Sequence, residues 1–583
     1  MRDSKLSLEE MIDKSDKIGV IGSPSSTSEL SVDILGTAVN RKLVGELVVF
    51  KFYQDNKPHY ALGQITEVQL RNIWLEDATM RSLARQRGQV NPVSGQQDTH
   101  VGKITVSAVF KDNEGKLEPS ILGTVPSTGT YIHIVNDEIL NMLVEQYRNE
   151  IFYLGYVYGS TTKLPLWFKH FGTGPHGAGE AYHIGIFGKT GSGKSVLAKM
   201  ILLAYARYSE MAIFVIDPQG EFAKSARGEV GGERFPLNLS NVLSYSNKEV
   251  IIKSVRDLVL DRWDLFSEIL YESQFFERLS ISKGENRRIA SEILIEKLKR
   301  KQIILEDLHK RQSFDVAWNI LGDENVQMQI YKSQQSRDRF KTLYENADQN
   351  EFFNNYWGPI TELFRRDRAE AISVDALIQQ TFDLNRSRPV VIIDLSRETA
   401  SGLFWNETIQ ALVIKRLLEG LTHSAERAYR EDRSLNTLVI LDEAHRLAPR
   451  EKIENEKQES VRLSLLDAVR TTRKYGLGWM FISQTLSSLH KEIISQLRIF
   501  FFGFGLALGT EFTSLKEIVG NDLNALKLYQ SFRDPHSAFD ATSRQHPFMV
   551  VGPVSPLSFA GTPLFFTAFN NADEFLNVNN VKL

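Results

Sequence analysis

The 583-residue chain contains no cysteine, which excludes disulfide bonds, thiolate metal sites and a cysteine nucleophile. It also has no dominant sign of charge, because 69 Lys and Arg against 72 Asp and Glu give a formal net charge of −3. The overall polycationic character of many nucleic-acid proteins is therefore missing. A role with DNA has to be inferred from motifs rather than from net charge.

Long hydrophobic runs are also absent. The longest apolar run, Ile499–Leu508, is much shorter than the ~20 residues that span a bilayer, and we interpret it as a buried strand. The first residues are polar and lack the apolar centre of a secretory signal. We therefore expect a soluble, cytoplasmic protein with no membrane partner, and the length predicts roughly two to four domains.

A glycine-rich loop is the strongest motif that the sequence does contain. Gly188–Ser195 (GKTGSGKS) fits G-x-x-x-x-G-K-[ST]. Tyr182–Phe187 before it is predicted to be a buried strand, and the apolar spacing that begins at Val196 predicts a helix after it. Glycines let backbone N–H groups converge on phosphate oxygens at a helix N-terminus. The predicted nucleotide-binding residues are Gly188, Lys189, Thr190, Gly191, Ser192, Gly193, Lys194, Ser195 and Val196.

The chemistry of this loop predicts ATP and Mg²⁺ as ligands. Lys194 is expected to reach the β- and γ-phosphates, and the Ser195 hydroxyl to bind Mg²⁺. A second element, the apolar strand Leu438–Leu441, ends in two carboxylates, Asp442 and Glu443. Asp442 is expected beside Ser195 in the magnesium site, and Glu443 is expected to orient or deprotonate the attacking water.

Polar residues near a later predicted strand complete the catalytic hypothesis. Gln484 ends the strand Leu477–Gln484 and is a candidate sensor of the γ-phosphate or of the water. Arg473 and Arg470 lie at the end of the preceding helix, where each is interpreted either as a charge at a helix C-terminus or as a contact to the phosphoryl group. Such a contact would come from the same chain or across a subunit interface. Of the two, we select Arg473.

The residues that follow the strand Met211–Asp217 have two open interpretations. Asp217 and Glu221 either face the nucleotide site or a neighbouring subunit, or they serve as turn and cap residues.

Periodicity along the chain predicts an α/β protein with an interrupted core. Short strands predict a β-barrel at the N-terminus, and amphipathic helices predict a bundle inserted into a parallel sheet flanked by helices. A strand between the loop and the Asp442 strand, with Glu443 directly after Asp442, indicates a RecA-like P-loop ATPase core. The predicted domains are 1–165 (barrel), 166–246 (first part of the core), 247–386 (helical insertion), 387–570 (second part of the core) and 571–583 (C-terminal tail).

Several motifs together resemble the HerA branch of the HerA/FtsK ATPases. The N-terminal run Gly19–Thr27 and the β-rich segment after it are similar to the HAS-like barrel of that family. The motifs that carry the resemblance in the core are His183–Ser195, Asp217–Phe222, Leu441–Pro449, Arg473–Gly476 and Ile482–Gln484.

The resemblance implies a homo-hexameric ring that translocates along double-stranded DNA without sequence preference. It implies a partner nuclease of the NurA type in DNA end processing, or a sirtuin-like or nuclease effector in defence against phage. It also implies that Arg473 contacts the γ-phosphate and that Gln484 is the sensor. Two alternatives stay open: a secretion- or conjugation-type motor, and a ring scaffold that assembles and activates an effector enzyme.

Overall fold

A six-stranded antiparallel barrel forms the N-terminal part of the chain. The computed structural model describes residues 7–87, 97–113, 115–174, 176–231, 235–383, 387–520, 522–540, 543–558 and 561–581. The barrel order is β2-β1-β7-β3-β4-β5, closed by pairing of β2 with β5, and β6 adds to β5 as a hairpin. Its strands are β1 (Lys17–Ile21), β2 (Leu30–Ile34), β3 (Leu47–Gln54), β4 (Lys57–Asn72), β5 (Asp98–Asn113), β6 (Lys116–Ser120) and β7 (Tyr131–Ile134).

The barrel has its own apolar interior. Ile18, Val48, Phe50 and Ile104 are buried there because alternate residues of each strand face inward. The helices next to it are α1 (Leu8–Lys14), α2 (Ile73–Glu76), α3 (Ala78–Arg87) and α4 (Asp137–Leu143).

An eleven-stranded mixed sheet organises the rest of the chain. The strand order is β12-β15-β11-β16-β17-β10-β18-β19-β20-β8-β9, parallel from β12 to β18 and antiparallel from β18 to β9. A separate two-stranded pair joins β13 and β14. The strands are β8 (Ile151–Val157), β9 (Lys163–Trp167), β10 (Ile184–Phe187), β11 (Ala212–Asp217), β12 (Val250–Ser254), β13 (Leu258–Val259), β14 (Ile372–Ser373), β15 (Val390–Asp394), β16 (Thr437–Leu441), β17 (Leu477–Ser483), β18 (Ile499–Gly503), β19 (His546–Val551) and β20 (Leu564–Ala568).

Helices cover both faces of this sheet, so it buries two apolar cores. In β11, Phe214 and Ile216 enter one core, whereas Ile213 and Val215 enter the other. The helices are α5 (Lys194–Ala206), α6 (Glu221–Arg227), α7 (Leu239–Tyr245), α8 (Trp263–Glu272), α9 (Gln274–Arg278), α10 (Glu285–Arg300), α11 (Arg311–Gly322), α12 (Glu324–Ile330), α13 (Gln334–Glu345), α14 (Gln349–Glu351), α15 (Gly358–Thr361), α16 (Val374–Phe382), α17 (Glu407–Arg430), α18 (Ala444–Leu447), α19 (Glu456–Thr472), α20 (Lys491–Gln496), α21 (Gly509–Val519), α22 (Leu523–Gln530) and α23 (Ala572–Val578).

Between β12 and β15, the described residues form the helices α8 to α16. These helices are the inserted bundle that the periodicity predicted. The same stretch also holds an element that the periodicity did not predict: β12 pairs with β15 at the edge of the large sheet. Its five residues are all half-buried, so they lack the fully apolar pattern of a central strand. The last residues of the expected insertion, 384–386, lie outside the described residues.

Two further differences concern the sheet. The predicted parallel sheet flanked by helices is confirmed from β12 to β18, and β19, β20, β8 and β9 extend it in antiparallel fashion. β8 and β9 come from residues that we expected to belong to the barrel. Short apolar strands carry no local signal of which sheet they join, because pairing depends on distant partners. The proposed division into domains remains a prediction.

Candidate active site

The glycine-rich loop lies between the buried strand β10 and the start of α5. Gly188, Gly191 and Gly193 have positive φ values of 153°, 82° and 91°, a backbone region that other residues adopt at a cost. A Cβ atom on Gly188 would lie 2.7 Å from Ser192 Oγ. No side chain caps the N-terminus of α5, which leaves its first N–H groups free of a competing cap. The loop therefore has the form of an anion-binding cradle.

Lys194, the first residue of α5, is buried against this loop. Its Nζ donates a hydrogen bond to Lys189 O at 3.2 Å. Burial lowers the pKa of Lys194, while the nearby carboxylates Glu443, Asp442 and Glu221 act in the opposite direction. The ammonium group thus lies beside the loop, where it can contact a phosphate that the loop binds.

Asp442 and Glu443 follow β16 at the same edge of the sheet, as expected for the carboxyl ends of parallel strands. Burial, together with Glu221 and Glu443, raises the pKa of Asp442 to about 7. Glu443 has a left-handed backbone (φ 53°). Its Oε2 atom is buried and has no hydrogen-bond partner among the residues that the structure describes, although His445 Nε2 and Arg446 Nε lie 3.5 and 3.6 Å from it.

A hydrogen-bond chain joins the loop to the carboxylate. Thr190 Oγ1 donates to Gln484 Oε1 at 3.2 Å, and Gln484 Nε2 donates to Glu443 Oε1 at 3.0 Å. The amide of Gln484 thus contacts both the loop and Glu443. A ligand bound to the loop would therefore affect the hydrogen bonds that orient the Glu443 carboxylate.

These groups line one cavity of about 590 Å³. Gly188, Lys189 and Ser192 are not among its lining residues; the N–H of Lys189 instead donates to Phe504 O at 2.9 Å. The residues that line the cavity are Thr190, Gly191, Gly193, Lys194, Ser195, Val196, Glu221, Phe235, Asp442, Glu443, Gln484, Arg544, His546, Phe569, Asn570 and Asn571.

The sequence reasoning missed the C-terminal wall of this cavity. Arg544, His546, Phe569, Asn570 and Asn571 lie at the ends of β19 and β20, which join the sheet beside β18. No motif marks them, and their position follows only from the antiparallel pairing of the last strands.

Arg473 lies outside the cavity. It precedes β17, whereas Gln484 follows that strand, and the seven residues of β17 span about 23 Å. Arg473 is exposed at the opposite edge of the parallel sheet, as is Arg470. Within one chain, neither arginine can contact a nucleotide held by the loop.

Asp217 and Glu221 turn out to have different surroundings. Asp217 accepts hydrogen bonds from the N–H groups of Gly220 (2.8 Å) and Ala223 (2.9 Å), so it is a turn and cap residue. Burial raises its pKa to about 6. Glu221 instead lines the cavity.

Ser195 and Asp442 fit a magnesium ion because one hydroxyl and one carboxylate face the same cavity. Mg²⁺ usually takes only one or two protein oxygens and completes its shell with phosphate and water. Among the described residues there is no group of three or more His, Asp or Glu side chains that would hold a metal without such help.

Comparison with known families gives a match over the middle of the chain. Residues 181–421 match the family model described as "Helicase HerA, central domain". No curated protein matches the chain. In the part of the chain that the structure describes, no helix has both the length and the apolar character needed to cross a membrane.

Solved structures with a similar fold share little sequence with this chain. VirB4 of Thermoanaerobacter pseudethanolicus is 13% identical over 72% of this chain and 96% of that chain, with a TM-score of 0.37. The bacterial conjugative coupling protein TrwBdeltaN70 is 13% identical over 75% and 92%, with a TM-score of 0.40. The genome packaging NTPase B204 from Sulfolobus turreted icosahedral virus 2, in complex with AMPPCP, is 9% identical over 67% and 98%, with a TM-score of 0.27.

Proposed function

We propose that this chain, whose residues 181–421 carry a central domain of the HerA type, is an ATP-hydrolysing motor that moves double-stranded DNA. The observation that carries the proposal is the single cavity shared by the loop lysine Lys194 and the carboxylates Asp442 and Glu443. A phosphate cradle beside an acidic pair supports phosphoryl transfer to water, because such transfer depends on positioning and charge neutralisation.

Each residue of the site has a distinct proposed role. The N–H groups of the loop and Lys194 bind the phosphates of ATP. Glu443 accepts a proton from the attacking water, and its hydrogen bond with Gln484 holds the carboxylate in position. Ser195 and Asp442 would hold Mg²⁺, which, when bound, neutralises charge on the phosphate oxygens.

The position of Arg473 supports a ring assembly. Because this side chain is exposed at the opposite edge of the sheet, it would reach a nucleotide only on a neighbouring subunit. We therefore propose a homo-hexamer in which Arg473 acts across the interface. The motor would grip the phosphate backbone without reading bases. It would work in the cytoplasm with a nuclease partner or a defence effector.

The test measures ATP hydrolysis by the purified chain with and without linear duplex DNA. We expect hydrolysis that DNA stimulates, and a loss of about 100-fold or more in Lys194→Ala and in Glu443→Gln, as is typical when a main catalytic group is removed. Lys491→Ala, which removes an exposed lysine of α20 outside the cavity, is the matched control and should retain full activity. Normal hydrolysis by either site variant would disprove the proposed site.

The cargo is tested separately from hydrolysis. If the chain hydrolyses ATP but fails to bind duplex DNA at modest salt, the secretion- or conjugation-type alternative is favoured. Isolation of the complex from its host would identify a partner effector and test the scaffold alternative.

A further inference from the structure

A C-terminal segment, comprising residues 535–540 and 543–546, places two histidines directly against the phosphate loop Gly188–Ser195. A Cβ atom on Gly191 would lie only 2.0 Å from Nε2 of His536, and one on Gly193 would lie 3.1 Å from the ring of His546. A histidine of this segment therefore lies directly beside each of these two glycines. The segment lies outside residues 181–421, so the family match assigns it no role.

Arg544 of this segment lines the cavity that Lys194, Asp442 and Glu443 also line. The residue as a whole is half-buried, but its Nε and Nη1 atoms are fully buried, and neither has a hydrogen-bond partner within the part of the chain that the structure describes. Among the described residues, Arg544 forms no ion pair either, although Glu221, Asp442 and Glu443 line the same cavity. A guanidinium group stays protonated in proteins, so burial cannot be relieved by loss of its charge.

Buried guanidinium N–H groups without an acceptor, here those on Nε and Nη1, are costly because they lose water and gain no hydrogen bond in return. Such a group is retained where an anion supplies the missing acceptors, and the planar guanidinium matches phosphate oxygens in a two-point contact. The anion expected in this cavity is the phosphate chain of the nucleotide. Lys194 and Arg544 would then be two cations of one chain acting on the same ligand.

We propose that Arg544 binds the phosphate groups of the nucleotide held by the loop of its own chain. The inference rests on the proposed function, since it requires that Gly188–Ser195 bind ATP. It adds a binding residue from the C-terminal part of the chain and makes the last strands of the sheet part of the nucleotide site. Unlike Arg473, Arg544 needs no neighbouring subunit.

The experiment measures the affinity of the full chain for a fluorescent, non-hydrolysable ATP analogue in the presence of Mg²⁺. Arg544→Met should weaken binding about 10- to 100-fold, the value of a lost charge-assisted contact. Arg544→Lys should bind with intermediate affinity, because it keeps the charge but not the fork. Arg533→Met, at an exposed arginine of the same C-terminal region, is the matched control and should bind normally.

Thermal unfolding of the nucleotide-free protein separates a binding role from a structural one. Removal of these two unpaired donors should leave the midpoint of Arg544→Met unchanged or higher, while the rise in midpoint caused by the analogue shrinks. Unchanged affinity in Arg544→Met would overturn the inference. A lower midpoint without nucleotide, with no recovery of affinity in Arg544→Lys, would also overturn it.

The two proposals fail in different ways. If Lys194→Ala binds the analogue as tightly as the unmodified chain, the proposed function itself fails. If Lys194→Ala loses binding and Arg544→Met retains it, only the inference about Arg544 fails.

Discussion

Glu443 has a left-handed backbone conformation that residues with a side chain rarely adopt (φ 53°). It lies where β16 turns into α18, with its N–H bonded to Asp442 Oδ1 at 2.8 Å and its Oε1 bonded to Gln484. Strain of this kind persists only where the surroundings enforce it, and it is common at active sites. The conformation directs the proposed general base into the cavity, and no sequence pattern predicts it.

The pKa of Asp442 leads to a prediction about pH. In the nucleotide-free protein, burial and the nearby carboxylates raise this pKa from 3.8 to about 7, so folding takes up a proton between those values. Unfolding releases that proton, and stability must therefore fall as the pH rises through this range. We expect the midpoint of thermal unfolding to decrease from about pH 5 to about pH 7.

Asp442→Asn tests the origin of this decrease, because its amide cannot ionise. The variant should show a flatter profile and, above pH 7, a midpoint about 2 °C or more above that of the unmodified chain. Asp217, with a pKa of about 6, would account for the slope that remains. A profile identical to that of the unmodified chain would contradict the proton uptake by Asp442.

At the scale of elements, the phosphate loop is the part that local sequence predicts best. The glycine spacing, the preceding apolar strand and the following helix are all adjacent in the chain, so their arrangement needs no distant partner. The antiparallel extension of the sheet is the opposite case. β8 and β9 are short apolar strands, and their membership of the large sheet depends on pairing with β20 more than 400 residues away.

Gly191 provides a prediction about the loop as an element. Gly191→Ala places a side chain at φ 82° and at 2.0 Å from His536 Nε2, so the loop must move. We expect ATP-analogue affinity to fall about tenfold, because a loop that shifts to relieve about 1–2 kcal/mol of left-handed strain no longer holds its N–H groups in the binding arrangement. The measurement is a titration with the fluorescent analogue.

Gly520→Ala is its matched control, because Gly520 has φ 74° at the end of α21 and no atom of the described residues lies within 4 Å of an added Cβ. That variant should bind normally even though it carries a similar backbone cost. Gly191→Ala combined with His536→Ala should recover part of the affinity. Full affinity in Gly191→Ala alone would show that the loop shape does not limit binding.

At the scale of the whole molecule, the core is attached to the barrel as well as to the helical bundle. Lys527 of α22 forms an ion pair with Glu67 of β4 at 3.1 Å, and Asn524 donates a hydrogen bond to Glu29. The exposed ion pair contributes little stability, so apolar packing holds these parts together. The residues of α4 and of the barrel exterior share a core with α5.

The trans role of Arg473 predicts complementation between inactive subunits. Arg473→Ala and Lys194→Ala should each lose ATP hydrolysis, because each removes one side of every composite site. A one-to-one mixture that exchanges subunits should regain up to about a quarter of the activity, since one interface in four then pairs an intact Lys194 with an intact Arg473.

Steady-state ATP hydrolysis by the mixture is the measurement. A mixture of Lys194→Ala with Glu443→Gln serves as the control and should stay inactive, because both changes affect the same chain's cavity. If the first mixture also stays inactive although the subunits exchange, Arg473 does not act across an interface.

The sequence by itself determined the phosphate loop, the paired carboxylates and the HerA resemblance, which the family match over residues 181–421 confirms. It could do so because these features are contiguous in the chain, and because the carboxyl ends of parallel strands meet at one edge of the sheet. Only the tertiary structure decided that Arg473 faces away from the cavity and that Arg544 lines it. Both positions depend on strand order and direction, which distant pairing sets and no local pattern encodes.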